Sequence, residues 1–140
     1  MDIIETFEKV AGFVQVQNIK AARDCLNQIE NEIPDTGAVQ KITGQLYQLI
    51  GDDAKSLKYI LRAWELIPDD KSLLLSLGYH YIDNGAPKDA SKYFEKYLLT
   101  EVPTARILCF LGRAYDYSGD RDKAERVLHE AVDLLSLIHI

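Results

Sequence analysis

Three histidines, two cysteines and a scatter of carboxylates could do chemistry here, and their spacing selects no reaction. His80, His129 and His139 have no cysteine or carboxylate at a metal-ligand interval such as HExxH. They read as surface or boundary histidines. Cys25 and Cys109 lie far apart inside apolar helical patterns, the setting of two reduced, partly buried thiols. Asp52-Asp53 and Asp69-Asp70 fall near helix starts, where the helix dipole favours negative charge. Gly112-Arg-Ala-Tyr and Gly78-Tyr-His-Tyr sit within helical stretches, so their glycines serve packing rather than a phosphate. No GxGxxG, P-loop or nucleophile elbow occurs. No catalytic residue, no metal site, no cofactor and no enzyme activity are expected.

The composition is that of a soluble chain, 47% hydrophobic and 27% charged. A net charge of −6 argues against nucleic acid or an anionic membrane as partner, since both favour basic faces. The start, Met1-Asp-Ile-Ile-Glu, lacks the basic residues and unbroken apolar core of a signal peptide. No run approaches the ~18 apolar residues of a membrane-spanning helix. A cytoplasmic location follows as the default expectation.

The elements that position these residues repeat. Gly51, Gly85 and Gly119 stand 34 residues apart, as do Gly44, Gly78 and Gly112, and Tyr47, Tyr81 and Tyr115. Ser56, Ala90 and Ala124 keep the same interval, followed by Ile60, Phe94 and Leu128. Each unit holds two stretches with apolar positions three and four apart, the pattern of two amphipathic helices. Gly51, Gly85 and Gly119 supply the left-handed residue that ends the first helix. Pro87 suits the first turn of a second helix, and Pro34, Pro68 and Pro103 are placed to stop the second helices. Gly78 and Gly112, with Ala90 and Ala124, let paired backbones approach, while Tyr81, Tyr115, Phe94 and Leu128 fill the flanks.

This order of residues resembles the tetratricopeptide repeat over nearly the whole chain. The resemblance implies an all-α fold, a right-handed superhelical solenoid of antiparallel helix hairpins with about eight helices. Its units span 3–36, 37–70, 71–104 and 105–134, the last of them open to truncation. The first is degenerate: Lys9 and Val10 replace Leu-Gly, and Gln17-Asn18 replaces the glycine turn. Sliding its first helix by one residue brings Phe7, Val10, Ala11 and Val14 onto one face. Residues 135–140, Leu-Ser-Leu-Ile-His-Ile, match the in-frame translation of a sequencing adapter and are expected to be a non-native tail, with the natural chain continuing past Leu134. A genuine apolar tail is the alternative.

The resemblance also implies that the first helix of each unit lines a concave groove. Five positions share that stripe. They place Phe7 and Val14 in unit one, Lys41, Gln45 and Gln48 in unit two, Leu75, Tyr79 and Ile82 in unit three, and Arg106, Arg113 and Tyr117 in unit four. An extended or helical segment is expected there, apolar towards unit one and acidic towards units three and four. Lys41, Arg106 and Arg113 would meet its carboxylates, and the tyrosines would give flat contact. One subgroup of the family clamps a C-terminal carboxylate through Lys-x-x-x-Asn, a further Asn and Lys-x-x-x-Arg. Here Lys41-x-x-x-Gln45, Ser76 and Arg106-x-x-x-Phe110 depart from that pattern, so no such clamp is expected.

The function expected from these features is protein–protein interaction, as an adaptor, scaffold or chaperone-like protein holding a peptide or protein segment. The alternative is the docking part of a longer protein whose enzymatic or assembly role lies elsewhere. Self-association through the apolar C-terminal end stays open.

Overall fold

The computed structural model describes residues 2–138, and these form eight α-helices, one 3-10 turn and no strand. The helices are α1 (Ile3–Gln15), α2 (Ile19–Gln28), α3 (Gly37–Ile50), α4 (Asp53–Leu66), α5 (Ser72–Asp83), α6 (Pro87–Leu98), α7 (Ala105–Tyr117) and α8 (Arg121–Ile138). The chain divides into two compact units, Met1–Leu73 and Leu74–Ile140.

One turn recurs four times. Gly51, Gly85 and Gly119 have φ of 93°, 74° and 85°, and Gln17 takes the same left-handed conformation at 61°. At each turn the next N–H donates to a carbonyl five residues back: Asn18 to Phe13, Asp52 to Tyr47, Ala86 to Tyr81 and Asp120 to Tyr115, at 2.8–2.9 Å. That bond closes a Schellman cap and satisfies a carbonyl the ending helix leaves unpaired. The residue after the turn then opens the next helix. Asn18, Asp52 and Asp120 accept from the N–H groups of Ala21, Lys55 and Lys123, and Pro87 takes the first position of α6.

In the first unit, Val10, Ala22, Leu26, Ile29 and Tyr47 are buried together. Val10 stands where later repeats have glycine and is fully buried, while Ala11 is exposed. The turn at Gln17 keeps the repeat register, while Phe7, Val10 and Val14 of the slid face pack into the core and only Ala11 of that face is exposed. Tyr47 stacks on Tyr59 at 5.6 Å and donates to Asn27 Oδ1 at 2.8 Å. Lys55 reaches the same oxygen and Glu30, which also accepts from the Tyr59 hydroxyl. This network fastens the end of the first hairpin to α3 and α4.

In the second unit, Ile82, Ala90, Phe94, Ile107, Leu111 and Ala114 form the core. Gly78 lies under the Phe94 ring and Gly112 under Leu128, as the spacing predicts. Tyr81 and Tyr115 are only half-buried, unlike Tyr47. Tyr81 stacks on Tyr93 at 5.5 Å, and Tyr115 donates to Glu95 at 2.7 Å. The prolines correct one expectation. Pro68 directly follows the cap of α4, but α2 ends at Gln28 and α6 at Leu98, well short of Pro34 and Pro103. Pro34 instead follows the cap of the 3-10 turn Glu30–Glu32, and Pro103 lies in the connection after α6.

Candidate peptide-binding face

The sequence-predicted stripe divides between core and surface. Phe7 and Ile82 are buried, each within the core of its own unit, and so offer nothing to a partner. A helix stripe wide enough to include them also includes positions that the neighbouring hairpin covers. Val14 and Leu75 are half-buried against the same cores. Gln45 and Gln48 are exposed on α3. Lys41 is not a free cation: its ammonium donates to Asp70 Oδ2 at 2.7 Å. Asp70 also accepts from Ser72 at the start of α5. Burial pushes this carboxyl up, but the bonds from Lys41 and Ser72 outweigh it and hold the group below its ordinary value. The basic cluster therefore loses its first member.

Its other two members lie together on α7. Arg106 and Arg113 are both exposed, and Phe110 sits between them, four residues after one and three before the other, on one helix face. The Arg106 guanidinium lies 5.8 Å from the Tyr79 ring centre and 6.0 Å from that of Phe110, and the Arg113 guanidinium 5.1 Å from Phe110. These are cation–π distances. Tyr79 meets Phe110 edge-on at 4.7 Å and Phe94 at 5.4 Å, so the aromatic platform is anchored in the core. Burial raises the Tyr79 phenol above its ordinary value, against the opposing charge of Arg106, and the ring stays neutral. Tyr117 projects from the end of the same helix, 64% exposed. Neither arginine forms an ion pair with a described residue.

Phe110 escaped the sequence reading as a site residue. The available signal was its i+4 spacing from Arg106 and i−3 spacing from Arg113. His80 is a second correction: it is buried rather than at the surface, and its backbone carbonyl accepts from the Asn84 side chain at 2.7 Å. His129 is exposed, and His139 lies outside the described residues. Among the described residues no group of three histidine, cysteine or acidic side chains is placed to hold a metal, and no helix is long and apolar enough to cross a membrane.

Four hairpins closed by left-handed turns, three of them at glycine with a second glycine under the crossing, define the class: this is the fold of tetratricopeptide-repeat proteins. The profile of the tetratricopeptide repeat family matches residues 108–136, on α7 and α8. Among solved structures, MamA MSR-1 is similar with a TM-score of 0.84 at 15% identity, covering 97% of this chain and 78% of its own. A second MamA structure gives 0.76 at 18%, covering 96% and 78%. YrrB, described as a TPR protein with an unusual peptide-binding site, gives 0.77 at 21%, covering 92% of this chain and 66% of its own. No curated protein sequence matches the chain.

Proposed function

We propose that this chain is a protein-interaction module, an adaptor, scaffold or chaperone-like protein, and that its second unit holds an acidic segment along α5 and α7. The observation that carries this reading is the pair of exposed arginines laid over one aromatic platform with no described carboxylate partner. A guanidinium resting on a ring keeps its N–H edge free, and that edge matches a carboxylate in a two-point bond. Tyr79 and Phe110 supply rigid, flat contact that loses little side-chain freedom on binding. The peptide-binding site of YrrB supports the reading at the level of the fold. Lys41 takes no part, because Asp70 already occupies it.

The test is selection of peptides from a random displayed library on the purified chain, followed by fluorescence anisotropy with the selected sequences. Acidic residues should be enriched among them. Arg106→Ala and Arg113→Ala should each weaken binding about tenfold, the range of a lost charge-assisted hydrogen bond, with helicity unchanged. Undiminished affinity in both variants would exclude this face.

A further inference from the structure

Two steps of the repeat carry Tyr47 to Tyr115, Lys55 to Lys123 and Lys58 to Arg126, and Asn27 of the preceding hairpin to Glu95. In the first unit this edge is filled. Tyr59 lays its ring on that of Tyr47, 5.6 Å away and 8° from parallel, and Lys58 stands 5.2 Å from the Tyr59 ring centre. The Glu30 carboxylate accepts from both the Tyr59 hydroxyl and the Lys55 ammonium. Tyr47 and Tyr59 are accordingly buried.

The second unit keeps the frame of this edge and lacks its filling. Tyr115 donates to Glu95 at 2.7 Å, as Tyr47 does to Asn27. Lys123 lies 5.5 Å from the Tyr115 ring centre, much as Lys55 lies 5.3 Å from that of Tyr47. Val127, however, takes the position of Tyr59, and Leu98 that of Glu30. A ring and a carboxylate are both missing. A hollow of about 240 Å³ opens instead, lined by Tyr115, Lys123, Arg126 and Val127. Its two cations are weakly held: Lys123 stands 3.8 Å from Asp120 in an exposed pair, and Arg126 forms no ion pair with a described residue. Arg126 Nε donates to the Asp122 carbonyl at 3.5 Å.

A following hairpin leaves this edge open. Tyr81 and Tyr93 hold the same positions one repeat earlier, and they stay half-buried although α7 and α8 come after them. Tyr115 and Val127 pack against the core shared with α5 and α6.

We propose that this hollow is a second binding site, and that it takes an aromatic side chain of a partner protein flanked by carboxylates. The first unit shows the pose within its own chain: a phenol ring parallel to the tyrosine, with a carboxylate against the lysine. Tyr115 supplies the ring for stacking, and Lys123 and Arg126 supply the charge opposite to the partner's acids. At about 240 Å³ the hollow is smaller than the roughly 300–1,000 Å³ that encloses a small molecule. It suits one anchor residue of a longer segment. It shares no residue with the platform of Tyr79, Arg106, Phe110 and Arg113, so it does not depend on the acidic-segment reading.

The probe is the peptide acetyl-Gly-Glu-Tyr-Glu-Gly-amide, titrated into the ¹⁵N-labelled chain and followed by ¹⁵N–¹H correlation spectra. A peptide with alanine in place of tyrosine is the control. Saturable shifts are expected at Tyr115, Lys123, Arg126 and Val127, and they should persist in the Arg106→Ala, Arg113→Ala double variant. The alanine peptide should bind there about tenfold more weakly. Val127→Tyr should abolish the shifts, because it restores the ring that Tyr59 supplies in the first unit, and circular dichroism checks its fold. Lys123→Ala, at an exposed position, should weaken binding about fivefold, and it decides the matter if Val127→Tyr misfolds. No saturable shifts at these residues, equal affinity for the two peptides, or undiminished affinity in Lys123→Ala or in folded Val127→Tyr overturns the proposal. Loss of the shifts in the double variant would trace them to the arginine platform and overturn it too. Equal affinity for 4-hydroxyphenylacetate alone would give the hollow to a free aromatic acid and overturn the partner reading.

Discussion

The Phe94 ring closes over Gly78 so tightly that a β-carbon added there would stand 2.6 Å from two of its ring atoms. Phe94 is fully buried and cannot swing aside, so the α5–α6 hairpin tolerates glycine alone at this crossing. Gly78→Ala should cost about 1–3 kcal/mol through overpacking. Gly112→Ala meets Leu128 at 2.8 Å, but that side chain is flexible and partly exposed, so the loss should be smaller. Urea unfolding of both variants tests the order.

Gln17 occupies, at φ 61°, the turn position that glycine fills in the other three repeats. A left-handed conformation costs a residue with a β-carbon about 1–2 kcal/mol. Gln17→Gly should therefore stabilise the chain by roughly 1 kcal/mol, after the added entropy of the unfolded chain. Gly85→Ala should destabilise it by a similar amount. Thermal melts of the two variants should move in opposite directions.

These turns were legible in the sequence because each demands a particular backbone conformation, and glycine marks it three times at a fixed interval. The crossings were legible for the same reason, since only a missing side chain allows a ring so close. The site was less so. Phe7 and Ile82 share a helical stripe with exposed neighbours, and periodicity does not say where a covering hairpin begins. The partner of Lys41 lies 29 residues away, beyond any local pattern. Val10 shows the converse: it breaks the motif and is still fully buried, and the turn that follows it at Gln17 falls in register.

Glu30 makes the first unit sensitive to acid. Burial would push its carboxyl up, but hydrogen bonds from Lys55 and Tyr59 outweigh this and hold it below its ordinary value of 4.5. A group depressed in the folded state stabilises fully above its unfolded value, and loses that contribution as pH falls through the folded one. Stability should hold from neutral pH to about 4.5 and then decline. Glu30→Gln should be less stable at pH 7, by about 1 kcal/mol for the weakened hydrogen bonds, and should show a shallower decline in acid. Unfolding free energies measured from pH 3 to 7 decide it.

Lys41 and Arg106 should separate stability from binding. Lys41→Ala removes a half-buried pair with Asp70 and should cost up to about 1 kcal/mol of stability, leaving peptide affinity unchanged. Arg106→Ala should leave the melting temperature near that of the wild type and weaken peptide binding. Paired melting and anisotropy measurements on the two variants check the split.

The proposed acidic segment would lie against the arginine-capped aromatic platform of the second unit. Its most direct test is a ¹⁵N–¹H correlation titration of the labelled chain with a selected acidic peptide. Shifts should concentrate at Tyr79, Arg106, Phe110 and Arg113, saturate together, and vanish in the Arg106→Ala, Arg113→Ala double variant. Saturating shifts confined to other residues, or shifts unchanged in that variant, would contradict it.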